Sequence, residues 1–164
     1  MKRLILLVLV GFQVESWGQN LVGQVFILTD NFDVETCELG SGCDCCSTDL
    51  FFLTDKEFGL VVRCIYNDSY YRGTYAINKD KLVLTFKPKE VNEIVDEATF
   101  KVSHEVNKTT SDPVEFKILK CDNKLKLENT TNPGFKNGIR LPLTTEKEKT
   151  KRLKDREAWK LLSE

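Results

Sequence analysis

The chain has 164 residues, 41% of them apolar, with 24 basic and 25 acidic side chains. So close a balance predicts neither a nucleic-acid footprint nor strong attraction to anionic lipid. The length suits one domain with a proper core.

Lys2 and Arg3, the mostly apolar run from Leu4 to Val14, and Ser16-Trp17-Gly18 together read as a secretory signal cleaved after Gly18. The run is too short for a membrane helix, and no later segment is long enough. An exported, soluble protein follows, secreted or periplasmic and without a membrane span. Residues 1–18 are then the signal, residues 19–143 the folded domain, and residues 144–164 a C-terminal segment of different composition.

Leu21 to Leu28 reads as the first strand, with Val22, Phe26 and Leu28 at alternating positions. Asp30-Asn31-Phe32-Asp33 breaks it, and Glu38 to Gly42 is a loop. Leu50 to Leu53 is apolar at every position, as in a strand covered on both faces. After the polar turn Thr54-Asp55-Lys56, Phe58, Leu60, Val62 and Cys64 alternate, which puts Cys64 on a buried face. Tyr71, Gly73, Tyr75 and Ile77 share one face of the next strand, with Gly73 a bulge or a close backbone approach. Asn78-Lys79-Asp80 leads into Leu82, Leu84 and Phe86, and short connections of this kind join antiparallel neighbours.

Lys87 to Glu97 reads as a charged connection able to hold a helical turn. Phe100, Val102, His104 and Val106 alternate next. Val114, Phe116 and Ile118 form a further strand, Leu125 and Leu127 another, and Ile139 to Leu141 a last one after the Asn137-Gly138 turn. No helix alternates with these strands, which excludes a parallel α/β sheet. The expected fold is all-β, an antiparallel meander that curls into a lipocalin-like barrel to remove its edges, with a sandwich as the alternative. From Glu146 to Leu162 the pattern is helical, with Thr145-x-x-Glu148 as a capping box and Glu148 paired to Arg152. Its apolar residues come late, so the last two turns should dock on the barrel while the first stay solvated.

Five of the six cysteines lie between Cys37 and Cys64, and the sixth is Cys121. In an exported chain they are first read as disulfides. Cys45 and Cys46 are neighbours and Cys43 and Cys45 are too close for relaxed geometry, so bridges should join the cluster to Cys37, Cys64 or Cys121. Positions 46 and 64 are equidistant from the turn at Asp55, which makes Cys46, or its neighbour Cys45, the expected partner of Cys64. The alternative is chemical. Cys43-Asp44-Cys45-Cys46 could offer thiolates to copper(I) or act in thiol redox exchange.

No phosphate loop, nucleophile elbow or His-Glu-x-x-His is present, and the one histidine, His104, reads as a core residue with a satisfied ring nitrogen. No acid/base pair stands out among the carboxylates. Asn67-Asp68-Ser69, Asn107-Lys108-Thr109 and Asn129-Thr130-Thr131 are glycosylation sequons in predicted turns, read as chance. The expectation is a non-enzymatic binding or interaction module without a cofactor, a monomer whose barrel mouth takes a small ligand or a protein.

The order Cys43-x-x-Cys46, Leu50-Phe51-Phe52-Leu53, Asp55-x-x-Phe58, Arg72-Gly73-Thr74-Tyr75 and Leu82-x-Leu84 resembles secreted bacterial lipocalin-like domains. Within these it is most similar to the N-terminal barrel of copper-homeostasis lipoproteins of the NlpE type. That resemblance implies a barrel and carries Cys43 and Cys46 over as candidate copper positions. The lipid-attachment cysteine is missing, Cys45 is extra, and Gly23-Gln24-Val25 stands where lipocalins have Gly-x-Trp.

Overall fold

The computed structural model describes residues 20–33, 36–40 and 46–164. The proposed signal segment, Cys43 and Cys45 lie outside the described residues. The strands are β1 (Val25–Leu28), β2 (Phe32–Asp33), β3 (Glu38–Leu39), β4 (Cys46–Phe52), β5 (Glu57–Cys64) and β6 (Asn67–Asn78). They continue with β7 (Lys81–Val95), β8 (Val102–Asn107), β9 (Val114–Cys121), β10 (Lys124–Asn129) and β11 (Gly138–Arg140). Two helices follow, α1 (Leu143–Asp155) and α2 (Glu157–Ser163).

Antiparallel pairing runs β6-β5-β4-β1-β11-β10-β9-β7, and β7 returns to β6. Eight strands therefore close a barrel. β8 hangs on β7 outside the ring, and β2 with β3 forms a separate ribbon. Alternation along each strand divides the apolar residues into two clusters. Phe26, Leu50, Phe52, Phe58, Leu60, Leu82, Leu84 and Phe116 fill the interior. Val25, Phe51, Val61, Tyr70 and Val91 face outward and meet Leu153, Ala158, Trp159 and Leu162 of the helices. The unbroken apolar run of β4 is thus covered on both faces, by the interior and by the helices.

Close approach favours glycine at Gly59 and Gly73. A Cβ on Gly59 would stand 2.8 Å from Cη2 of Trp159, and one on Gly73 2.5 Å from Cε1 of Phe58. Gly73 also marks a register shift, for Tyr71 pairs with Glu90 while Gly73 pairs with Phe86. Three residues of β7, Lys87 to Lys89, bulge opposite the single Arg72. Pro88 sits in that bulge, where no ladder hydrogen bond needs its missing N–H.

That bulge corrects the expectation of a helical connection over Lys87 to Glu97. The strand continues to Val95, with Val91 and Glu93 buried on its outer side. Its charges looked like a solvated connection because their partners are remote in sequence. Leu21 is likewise not in a strand. A turn closed by Gln24 N–H donating to Leu21 O at 2.9 Å tucks it fully buried into the barrel, while Val22 is exposed.

The helix differs too. It begins at Leu143 with Pro142 as N-cap and no side-chain cap, so Thr145 lies inside it and the capping box does not form. The Glu148–Arg152 pair is present at 2.5 Å. The first turn is pinned rather than solvated: Glu146 is buried, binds Arg140 at 2.8 and 3.2 Å, and accepts the Val25 N–H at 3.2 Å. One turn on, Lys149 reaches both oxygens of the buried Asp49 at 2.8 Å, and Arg63 joins that carboxylate at 3.2 Å. Arg156 is extended and separates α1 from α2. It binds Glu93 at 2.9 Å. Among the described residues no helix is long and apolar enough to cross a membrane.

Candidate functional site

One end of the barrel is plugged. Phe26, Phe52 and Tyr75 stack edge-to-face at 5.7 and 4.8 Å, and the Tyr75 hydroxyl donates to Thr54 O at 2.8 Å. The other end holds a cavity of about 420 Å³. Its apolar wall comes from Leu28, Leu60, Val62, Phe86 and Phe135, with Thr48, Tyr71, Thr109, Ser111 and Lys136 adding polar groups at the sides and rim.

Phe135 reaches this place because of Asn129. The Asn129 side-chain amide donates to Phe135 O at 2.5 Å and to Asn132 O, while its oxygen accepts the N–H groups of Thr131 and Asn132. The connection between β10 and β11 is therefore a braced loop. It lays the Phe135 ring beside Phe86 at 5.9 Å and Phe116 at 6.4 Å. With its amide so engaged, the Asn129 sequon is occupied in bracing the loop. Asn67 and Asn107 are exposed at strand ends.

Tyr71 is the polar residue with the most definite chemistry. Its hydroxyl donates to Glu90 Oε1 at 2.7 Å. Burial, and then that carboxylate, push its pKa up to about 12. It is a neutral phenol whose proton is committed to Glu90 and whose lone pairs remain to accept a hydrogen bond. Beside it, Ser69 donates to Asn92 at 2.6 Å. Lys136 is ion-paired with Asp30 at 3.0 Å.

The cysteines are placed as follows. Cys46 and Cys64 face each other as the terminal register pair of β4 and β5, joined by a disulfide with Cα atoms 4.3 Å apart. Cys46 lines the cavity rim. Cys64 is half-buried rather than buried, because its strand is leaving the core. A second disulfide ties Cys37, beside β3, to Cys121 at the end of β9, with Cα atoms 5.7 Å apart. Cys46 is thus bridged and supplies no thiolate to the Cys43, Cys45 and Cys46 metal set in this form.

His104 is not a core residue. β8 is exposed on both faces, and Phe100, Val102 and Val106 are open to solvent. One ring nitrogen is satisfied, however, for Nε2 lies 3.3 Å from Glu93, which also binds Arg156. Alternation suggested a buried face because β8 has the pattern of a barrel strand without a second sheet or helix over it.

Sequence reasoning missed Phe135 at the cavity, Asn129 that holds its loop, and Glu90 that holds the Tyr71 hydroxyl. The Asn137-Gly138 turn hinted at the loop, but nothing local shows that its one aromatic folds inward. Fold and cavity together define a closed eight-stranded antiparallel barrel with one plugged end, one open end and a C-terminal helical buttress. The chain is similar to a streptavidin-like protein from Bacteroides eggerthii DSM 20697, with a TM-score of 0.60 and 11% identity over 83% of this chain and 89% of that one. At that identity the likeness is one of fold. No protein-family model and no curated protein matches the chain.

Proposed function

We propose that this protein is a non-enzymatic binding module that takes a small, mostly apolar ligand into the open end of its barrel. The observation that carries the reading is the cavity of about 420 Å³ walled by Leu28, Leu60, Val62, Phe86 and Phe135. Sites for small molecules are concave and mostly apolar, with a few polar groups that fix orientation. Thr48, Thr109 and Ser111 at the sides, with the Tyr71 oxygen, are those groups. The similarity in fold to a streptavidin-like barrel agrees with it.

The chemistry of the wall favours binding over turnover. Tyr71 in that wall commits its phenol proton to Glu90, and its raised pKa keeps it neutral. The disulfides agree with an exported protein, since such bridges persist in oxidising compartments. We read the cysteines as staples rather than as copper ligands of the NlpE type, because Cys46 is spent on Cys64.

The test uses an apolar fluorescent probe, 1-anilinonaphthalene-8-sulfonate, titrated into the folded protein. Saturable, one-site enhancement is expected, and it should vanish in Val62→Trp, which fills the cavity from its wall. Non-saturable enhancement, or binding that Val62→Trp leaves unchanged, overturns the reading.

A further inference from the structure

Among the described residues, β8 lies at a free edge of the main sheet, outside the eight-strand ring. Its exposed apolar residues are not scattered. Of the eight large apolar side chains open to solvent among the described residues, Ile65, Tyr66, Phe100, Val102 and Val106 lie on β8 or the adjoining hairpin ends. Phe100 is 76% exposed and has φ 54°, a conformation costly for a residue of its size. The tip that holds it is well built, with Phe100 N–H donating to Asp96 O at 2.8 Å and Thr99 N–H to the Asp96 carboxylate at 2.7 Å.

The hydrogen-bond pattern shows which way the edge faces. Asp96 N–H donates to Lys101 O at 3.0 Å, making these two a hydrogen-bonded pair. Val95, opposite Val102, sends its N–H the other way, to Tyr66 O at 2.9 Å. Alternation along an antiparallel ladder then turns Ser103 and Glu105 toward β7. The N–H and C=O groups of Val102, His104 and Val106 point away from it, where among the described residues no strand follows.

We infer that β8 pairs with β8 of a second copy of this chain, antiparallel across a two-fold axis at Ser103. Of the registers near the middle of the strand that satisfy the outward groups, one centred on Glu105 would face that carboxylate with its own copy, which leaves those centred on His104 and on Ser103. In the one centred on His104, Glu105 meets the partner's Ser103 and Lys101 meets the partner's Asn107, with no charge matched. In the one centred on Ser103, Lys101 stands opposite the partner's Glu105, and the two-fold axis makes this pair twice. The same register puts Val102 beside the partner's His104 and brings the Phe100 tip toward the partner's Val106, covering the exposed apolar side chains. Opposite charges in directly facing positions stabilise a strand pair, and like charges there destabilise it. Because the two-fold pairing uses the same edge of both copies, it closes as a dimer instead of growing into a filament. Against the expectation of a monomer, this edge argues for a weak dimer.

A ladder of six residues is a small interface, so association should be measured from about 1 to 500 µM by sedimentation velocity. A concentration-dependent dimer is expected. Lys101→Glu and Glu105→Lys should each weaken it about tenfold or more, and the double variant Lys101→Glu/Glu105→Lys should restore it. Both positions are exposed, and circular dichroism checks that each variant folds. Under oxidising conditions Ser103→Cys should crosslink the two copies, found as a peptide bearing position 103 from both, whereas His104→Cys should not. A monomer across the whole range, or a dimer indifferent to the charge reversals, overturns the inference.

Discussion

The two disulfides enclose loops of very different length, and their removal should rank accordingly. Cys46 and Cys64 are 18 residues apart, Cys37 and Cys121 84 apart. In the chain-entropy model the shorter loop contributes about 3 kcal/mol. The longer would contribute about 4.5 kcal/mol, trimmed to roughly 4 because the inner bridge shortens its free path. For a domain of this size each kcal/mol moves Tm by about 2–4 °C. Cys46→Ser/Cys64→Ser should then lower Tm by about 6–12 °C and Cys37→Ser/Cys121→Ser by about 8–16 °C. Replacing both partners together leaves no new thiol to react. Differential scanning calorimetry at pH 7 reads both shifts, and alkylation before reduction should find all four cysteines protected in the native protein. A greater loss from the Cys46–Cys64 variant would refute the reasoning. It would mean that native contacts at the barrel mouth, rather than unfolded-chain entropy, set the contribution.

Glu146→Ala should destabilise by about 2–3 kcal/mol in urea unfolding, since it strips the Val25 N–H of its acceptor and Arg140 of its partner. Glu146→Gln keeps an acceptor and should cost less; equal costs would show that the helix does not depend on this contact. Tyr70 and Tyr71 are each pushed up to about 12, burial being the first cause, with Glu93 next for Tyr70 and a hydrogen bond to Glu90 next for Tyr71. The folded state favours the neutral phenol, so this stability is complete below pH 10 and drains away as pH rises from about 10 to 12. Alkaline melts of Tyr71→Phe should show a shallower decline over that window than the parent, and identical slopes would remove Tyr71 from the account. Asn129→Ala should release the loop over residues 130–137, raising its hydrogen exchange while β4 and β5 stay protected and costing about 1–3 kcal/mol. Unchanged exchange in that loop would show that Phe135, not Asn129, holds it.

The amino-acid order by itself determined the hairpins and the inward faces. Phe58, Leu60 and Val62, then Leu82 and Leu84, alternate around short polar turns, and both signals are local in sequence. The same locality made Cys46 legible as a partner of Cys64, since a regular hairpin carries equidistant positions to the same rung. Only the tertiary structure decided what charged and isolated residues do. Glu146 and Asp49 are buried because Arg140, Lys149 and Arg63 reach them, and Lys149 is 100 residues from Asp49. β7 runs through Pro88 because a bulge against Arg72 excuses the missing N–H. His104 and its apolar neighbours carry the alternation of a barrel strand, yet β8 lies outside the ring. Alternation reports that a strand has two different faces; whether either is covered depends on which strands close the barrel. The cavity has the same origin, for its volume is what remains when one end is plugged by Phe26, Phe52 and Tyr75 and the other is only narrowed by Phe135.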